Sequence, residues 1–151
     1  MDIDRQPGIS FDAVLLRYAL FEEREPPSPE RQEGLNLSFS SKSRMLGEGV
    51  ERGEVILSVT VEPEGDNPPF RVQVSVSGLF GYQIGTDRNL ELEEFLAQQA
   101  VALLLPYVRE AVTNLTARTA FGPVIIPPVN VRAMLAEARP DELGPPVGVR
   151  D

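Results

Sequence analysis

Two runs of alternating side chains decide the fold: Val55-Ile56-Leu57-Ser58-Val59-Thr60-Val61 and Phe70-Arg71-Val72-Gln73-Val74-Ser75-Val76. In each run an apolar residue recurs at every second position, which is the pattern of a strand with one covered face. The stretch between them, Glu64-Gly65-Asp66-Asn67-Pro68-Pro69, is polar and rich in turn-forming residues. The runs therefore predict an antiparallel hairpin that buries its valines on one face.

Two more strands are predicted ahead of this hairpin. The first starts at Phe11, and its alternate apolar residues are expected to share one face: Val14, Leu16, Tyr18 and Leu20. The second carries its apolar residues at Leu35, Leu37 and Phe39, between polar neighbours. The charged stretch 22–31 separates the two strands and contains three prolines, which predicts a loop.

The period changes from two residues to that of a helix after Gly85. Apolar residues then recur at helical spacing: Val101, Leu105, Val108, Val112 and Leu115. Pro106 lies inside this pattern and predicts a kink or break there, and residues 131–138 predict a short second helix. The fold class is therefore α+β, a four-stranded antiparallel sheet followed by a long and a short helix that cover one face.

Length and composition place the chain in one domain. It has 151 residues and a mass of 16.6 kDa, and we expect residues 11–138 to fold between disordered tails at 1–10 and 139–151. The first ten residues lack the apolar core of a secretory signal, and the longest apolar run is too short for a membrane span. With no cysteine in the chain, a reducing cytoplasmic setting is expected.

Composition also argues against most kinds of enzyme. The chain has no histidine and no cysteine, which removes histidine bases and nearly all zinc or haem sites. Its net charge of −9 disfavours nucleic acid and anionic lipid as partners. The acidic group Glu91, Glu93 and Glu94 suits the positive end of a helix better than a metal site. We expect no catalytic residue, no metal and no cofactor.

The apolar stretch Phe121-Gly122-Pro123-Val124-Ile125-Ile126-Pro127-Pro128-Val129-Asn130-Val131 is unusual, because its prolines keep it out of a sheet interior. Two interpretations stay open. The stretch is either a crossing loop that packs on the edge of the domain or one wall of an apolar binding groove.

Three motifs carry a resemblance to a known family. The first is Leu105-Pro106-Tyr107-Val108-Arg109-Glu110, which resembles the Phe-Pro-Tyr-Ala-Arg-Glu helix signature of the SecB export chaperones. The segment 118–121 and the run Pro127-Pro128-Val129-Asn130-Val131 resemble its Arg-Gly-Thr-Phe and Ala-Pro-Val-Asn-Phe segments, in the same order. The resemblance covers residues 11–135 and agrees with the α+β class.

The resemblance implies an ATP-independent holdase that binds unfolded polypeptides in an apolar groove and keeps them competent for export or folding. It implies a homotetramer, built as a dimer of dimers with helices between two sheets. The client-binding residues expected on this basis are Phe39, Phe121, Val124, Ile125, Ile126, Val129 and Val131. The sheet and the helix together supply more apolar surface than one four-stranded layer needs. We therefore expect the following residues at the oligomer interface: Val72, Val74, Val76, Val101, Leu105, Val108 and Val112.

One departure from the family concerns the SecA motor. The family contacts SecA through two acidic positions around the end of the first strand, which map onto Leu20 and Arg24. A second pair on the fourth strand, normally apolar and acidic, maps onto Arg71 and Gln73, so none of the four residues is acidic here. We therefore expect weak or absent binding to a conventional SecA. The alternative is a dedicated SecB-like chaperone of a single partner, such as the antitoxin of a toxin–antitoxin system.

Overall fold

The computed structural model describes residues 8–29, 34–46, 52–82, 92–128 and 133. Four strands come first: β1 (Ile9–Glu23), β2 (Leu35–Leu46), β3 (Arg52–Pro63) and β4 (Phe70–Tyr82). Two helices follow: α1 (Leu92–Gln98) and α2 (Ala100–Thr116). The predicted order of strands and helices, and with it the α+β class, is confirmed.

The strands form one antiparallel sheet in the order β1-β4-β3-β2. β3 and β4 form the predicted hairpin, with Val59 opposite Val74 and Gly65 in its turn at φ 121°. The chain leaves β1 at one edge and crosses to β2 at the other. At this end of the sheet the N–H groups of Arg24 and Glu25 donate to the carbonyl of Pro69 beside the hairpin turn.

β1 departs from regular alternation at two bulges. Leu16 pairs with Val76 but Tyr18 pairs with Ser75, so Arg17 is an extra residue, and a second irregularity lies between Phe11 and Ala13. A bulge shifts the alternation by one position. The prediction that Val14, Leu16, Tyr18 and Leu20 share a face is therefore wrong. Val14 and Leu16 lie on the helix side with Val76, and Tyr18 and Leu20 lie on the opposite side with Ser75 and Gln73.

The core lies between the sheet and the two helices. β3 and β4 supply a continuous apolar surface: Val55, Leu57, Val59, Val61, Phe70, Val72, Val74, Val76 and Phe80. The helices cover it with Leu92, Phe95, Leu96, Val101, Leu104, Val108 and Val112. At Gly78 an added Cβ would lie 2.7 Å from the Leu104 Cδ2, so the missing side chain lets α2 approach the sheet.

The helical region breaks at Gln99, where α1 ends and α2 begins, and α2 continues through Pro106. The helical region is therefore interrupted seven residues before Pro106 and not at it, while the kink predicted at Pro106 as the alternative to a break stays a prediction. Pro106 cannot donate to the carbonyl of Ala102, but both residues are exposed, so water can bind that carbonyl.

The predicted disordered tail 1–10 is wrong for Ile9 and Ser10, which belong to β1 and pair with Tyr82 and Gly81. Residues 1–7, the tail 139–151 and nearly all of the second helix lie outside the described residues, although Ala133 is helical.

Candidate functional site

The segment after α2, residues 121–128, packs along α2 without joining the sheet. The chain turns into it at Gly122, which has φ +73° and donates its N–H to the carbonyl of Thr119. No atom lies within 4 Å of where a Cβ would stand at Gly122, so the glycine serves the backbone conformation rather than close packing. The turn brings the segment back antiparallel to the end of α2.

Three side chains of α2 bind the backbone of this segment. Arg109 Nε donates to the carbonyl of Ile126 at 3.1 Å, and the Thr113 hydroxyl donates to the carbonyl of Val124 at 3.1 Å. The N–H of Val124 donates to the Thr116 Oγ1 at 2.7 Å. Residues three or four positions apart share one helix face, so these contacts form a continuous row. They fix which side of the segment faces the core.

The side chains of the segment alternate between core and solvent. Val124 and Ile126 are 8% and 0% exposed, whereas Ile125 between them is 65% exposed. Because Arg109, Thr113 and Thr116 hold the backbone, this alternation is fixed in the fold. The interpretation as a crossing loop describes the side that covers the core. The interpretation as one wall of a binding groove stays a prediction, and Ile125 is the apolar side chain that the other side presents to solvent.

An aromatic cluster stands at the start of the segment. The Phe121 ring lies 4.6 Å from that of Phe70 and 6.2 Å from that of Phe21, centroid to centroid. Phe121 is half-buried and borders an open pocket of about 290 Å³. The other residues that line this pocket come from the crossing loop, the strand ends and the helix end: Pro27, Ser28, Leu35, Pro63, Pro69, Phe70 and Ala120.

A second groove, of about 490 Å³, runs between β1 and the outer side of α2. Its lining is largely apolar: Val14, Leu16, Ala19, Val76, Tyr107, Glu110, Ala111, Asn114, Leu115 and Arg118. Leu16 is 62% exposed here and Tyr107 is 43% exposed. The helix side of β1 is thus less completely covered than that of β3 and β4.

The residues predicted for client binding separate into three groups. Phe121 and Ile125 have accessible surface. Phe39, Val124 and Ile126 lie in the core of a single chain, so we revise the prediction and assign these three to packing. Val129 and Val131 lie outside the described residues.

The residues predicted for the oligomer interface lie mostly inside one chain. Six of them are at most 3% exposed and belong to the core: Val72, Val74, Val76, Val101, Val108 and Val112. Leu105 is half-buried. The apolar faces of sheet and helix cover each other, so the structure corrects the inference that they leave a surplus for a partner. The exposed apolar surface lies instead at positions such as Leu16 and Tyr107.

The positions that map onto the SecA contact lie together on the sheet face away from the helices. Leu20 pairs with Gln73, and Arg71 pairs with Glu22 in the next row. Arg24 extends this group, because its Nε lies 2.7 Å from a Glu22 oxygen and its Nη1 lies 3.5 Å from a Glu62 oxygen. The remaining acids of this region are therefore partly neutralised.

Sequence reasoning missed a buried carboxylate on the same outer face. Glu54 is 1% exposed and accepts hydrogen bonds from Arg17 at 2.7 Å, Arg44 at 2.8 Å and Ser77 at 2.7 Å. Burial alone would raise the pKa of the Glu54 carboxyl. The hydrogen bonds from Ser77, Arg17 and Arg44 outweigh burial, so this pKa lies below its ordinary value. Glu54 and its partners come from all four strands, a pairing visible only once the register is known.

The described residues contain no group of three or more acidic, histidine or cysteine side chains placed to hold a metal ion. A search of the same residues for a helix both long and apolar enough to cross a bilayer finds none.

Known proteins resemble this chain in sequence. The model of the family described as preprotein translocase subunit SecB matches residues 4–141. The protein-export protein SecB of Dechloromonas aromatica is 33% identical over 131 residues, covering 86% of this chain and 80% of the relative. The SecB of Alcanivorax borkumensis is 29% identical over 146 residues, covering 93% and 92%.

A solved structure agrees with the fold. It is a SecB-like chaperone from Mycobacterium tuberculosis, determined in complex with a ChAD peptide from the HigA1 antitoxin. The superposition has a TM-score of 0.67 at 21% identity and covers 80% of this chain and 90% of the other. With the family match spanning nearly the whole sequence, the chain belongs to the SecB family of protein-export chaperones.

Proposed function

We propose that this SecB family chaperone holds unfolded polypeptides, without ATP, on an apolar surface formed by Phe121, Ile125 and the pocket beside Phe70. We name this the client surface. The observation that carries the proposal is the 65% exposure of Ile125 on a segment whose backbone is fixed by three hydrogen bonds. A rigid apolar side chain in water binds apolar clients with little ordering cost and without reading their sequence.

The burial of the neighbouring residues supports this choice. Val124 and Ile126 are covered by the chain itself, so they contribute to stability rather than to binding. Full burial of an isoleucine contributes about 1.5–3 kcal/mol, so covering Ile125 with a client contributes about 1–2 kcal/mol. Phe121 adds an aromatic face at the edge of the pocket. Modest contributions of this kind suit a chaperone that must also release its clients.

The double variant Phe121→Ser/Ile125→Ser tests the client surface. We expect it to keep the circular dichroism spectrum of the unchanged protein and to suppress aggregation of a chemically denatured reporter enzyme much less well. The matched control is Leu103→Ser, which removes a 41% exposed leucine from the outer side of α2. If the double variant protects the reporter as well as this control does, clients bind elsewhere.

The homotetramer is a further part of the proposal. The family relationship supports it, as does the incompletely covered groove between β1 and α2, where Leu16 and Tyr107 are exposed. Light scattering should give four times the chain mass at micromolar concentration, and Leu16→Asp should lower that mass without unfolding the chain. A stable monomer in the unchanged protein would contradict this part.

We propose that conventional SecA binds weakly or not at all. None of the four residues at the mapped contact, Leu20, Arg24, Arg71 and Gln73, is acidic, and Arg24 pairs with Glu22 and Glu62. Calorimetric titration with the host's own SecA should detect no micromolar affinity, while reporter protection persists. If Arg24→Glu combined with Arg71→Leu fails to strengthen a weak interaction, the mapped surface is the wrong one.

The second candidate function is a dedicated chaperone for one partner, such as an antitoxin. Its support is the loss of acid at the SecA positions, together with the structural neighbour that binds an antitoxin peptide. A toxin–antitoxin pair encoded beside the gene, and protection of that antitoxin in preference to unrelated clients, would favour it. In either role we propose a cytoplasmic location, where a client can be bound before export.

A further inference from the structure

The backbone of the segment after α2 is bonded to the helix at alternate residues. Val124 is bonded at both of its backbone groups, since its N–H donates to the Thr116 Oγ1 and its carbonyl accepts from the Thr113 hydroxyl. The carbonyl of Ile126 also faces α2, where it accepts from Arg109 Nε. Residues 124 and 126 thus direct their backbone groups toward α2.

The chain between these two residues is extended. Burial alternates from Val124 through Ile125 to Ile126, and Ile126 precedes Pro127, a position that disfavours helical backbone angles. In an extended chain the N–H and the carbonyl of one residue point to the same side, and those of the next residue point to the other. The N–H and the carbonyl of Ile125 therefore point away from α2. We name this side of the segment the free edge.

Ile125 supplies the one backbone donor on the free edge between positions 123 and 127. Among the residues that the structure describes, none bonds to the N–H or the carbonyl of Ile125, which is 65% exposed. The next residues with the same orientation are Pro123 and Pro127, and a proline has no N–H. The free edge thus offers one donor and one acceptor at Ile125, with a proline two residues away on either side.

We propose that an extended client segment pairs its backbone with Ile125 alone, through one antiparallel pair of hydrogen bonds. In such a pair, two residues that face each other exchange both N–H···O bonds. Any client residue other than proline can form this pair, whatever its side chain, so the contact needs no particular client sequence. The inference rests on the proposed client surface and adds how that surface holds the backbone of a client.

The two prolines limit the pairing to a single residue. At Pro123 and Pro127 a client strand meets a carbonyl acceptor but no donor, and the proline ring occupies the place of the missing N–H. Prolines on the edge of a sheet prevent further strands from adding to it in the same way. A client held at one backbone position and by apolar contacts is released more readily than a client paired along a whole strand.

Removing the N–H of Ile125 tests the proposal. The measurement is fluorescence anisotropy of a labelled nine-residue peptide of alternating leucine and serine, added to the full chain. Ile125→Pro removes the N–H, and Ile125→Val is the matched control, because valine and proline have equal numbers of side-chain carbons. We expect Ile125→Pro to bind the peptide about three- to tenfold more weakly than Ile125→Val, the usual effect of one lost hydrogen bond. Both variants should keep the circular dichroism spectrum of the unchanged protein.

Adding a donor to the free edge tests it in the opposite direction. Pro127→Ala places an N–H on the same side as that of Ile125 and should tighten peptide binding about three- to tenfold. Pro128→Ala is the matched control, because residue 128 has the orientation of Val124 and Ile126 and its new N–H points toward α2. This control should leave the affinity unchanged. Equal affinities of Ile125→Pro and Ile125→Val, or equal effects of the two alanine variants, would each overturn the proposal.

The backbone pairing and the client surface fail in different ways. Phe121→Ser/Ile125→Ser removes apolar side chains but keeps the N–H at position 125. If this variant weakens peptide binding while Ile125→Pro and Ile125→Val bind alike, the client surface stands and the backbone pairing is wrong. If the serine variant binds the peptide as the unchanged protein does, and the proline and valine variants still differ, the apolar client surface is wrong and the backbone pairing stands.

Discussion

The two faces of the one sheet stabilise the molecule in different ways. On the helix side, valines of neighbouring strands stand opposite one another and are sealed by α1 and α2, as with Val59 and Val74. On the outer side the same rows carry serine pairs, such as Ser58 and Ser75 with hydroxyl oxygens 2.8 Å apart, and the Glu54 network. The covered face gains from area removed from water, whereas the outer face depends on directional bonds between named partners. Substitutions on the two faces should therefore lower the stability of the fold for different reasons and by different amounts.

The largest effect is expected from a charge on the covered face. Val74→Asp buries an unpaired carboxylate at a side chain with 0% exposure, which should cost about 4 kcal/mol or more and unfold the chain or its assembly. Thermal denaturation followed by circular dichroism would measure this. The control is Gln73→Asp, the adjacent residue on the outer face, which should shift stability by about 1 kcal/mol or less. Similar losses in the two variants would contradict the contrast between the faces.

A smaller loss is expected at the centre of the outer face. Glu54→Gln removes the charge that holds Arg17 and Arg44, and we expect it to cost about 2 kcal/mol, because both arginines can turn to water. The pKa of Glu54 is lowered in the folded state, so the stabilisation is complete above its unfolded value of about 4.3 and is lost as pH falls through the folded value.

Urea denaturation at pH 7 and pH 3 measures this effect. Acidification should destabilise the unchanged protein more than Glu54→Gln, and the two should converge in acid. Glu62→Gln is the matched control, since Glu62 makes only a 3.5 Å contact with the exposed Arg24. If Glu54→Gln is as sensitive to acid as the unchanged protein, the network does not stabilise the fold through its charge.

The next loss of stability is expected at Gly78, where α2 lies close to the sheet. Gly78→Ala would place a Cβ 2.7 Å from the Leu104 Cδ2 and 2.9 Å from the Phe80 Cε2, so overpacking should cost about 1–3 kcal/mol. Gly34→Ala is the control, because the three atoms nearest its Cβ would all belong to the exposed Glu64 side chain, whose far end can move. Equal denaturation midpoints for the two alanine variants would show that α2 can move aside without loss.

The smallest effect is expected at the rim of the outer face. Arg24→Gln removes the contacts with Glu22 and Glu62, but all three side chains are substantially exposed and the pairs are screened by salt. The midpoint of thermal unfolding in 150 mM salt should not change measurably. A clear drop would mean that this surface contributes to the fold, and that Arg24 variants are unsuitable for testing SecA binding.

The sequence predicted the covered face better than the outer one. Alternation in β3 and β4 needs no knowledge of the neighbouring strand, so the valine rows and the hairpin could be derived from local pattern. The bulge at Arg17 could not be derived in this way, because an extra residue is recognised only from the pairing of Leu16 and Tyr18 with β4. The network around Glu54 could not be predicted for the same reason, since its partners lie 37, 10 and 23 positions away along the chain.

The candidate site was predicted in outline and corrected in detail. Composition and proline content identified the segment 121–131 as unusual, but every apolar residue in it looked equivalent. Hydrogen bonds from Arg109, Thr113 and Thr116 separate Ile125 from its buried neighbours, and these are tertiary contacts. For the same reason, the valines assigned to an interface proved to be covered by the helices of their own chain.

The strand order has a consequence for folding. β2, β3 and β4 pair with their neighbours in sequence, but β1 pairs with β4, so that Ser10 and Gly81 meet across 71 positions. Contacts between distant residues form late, because a long loop must be closed before they contribute. During synthesis β1 leaves the ribosome first and must wait for all of β4 before it can pair. Of the four strands, β1 is therefore synthesised first and paired last, so this chaperone itself has an unpaired strand until β4 has been made.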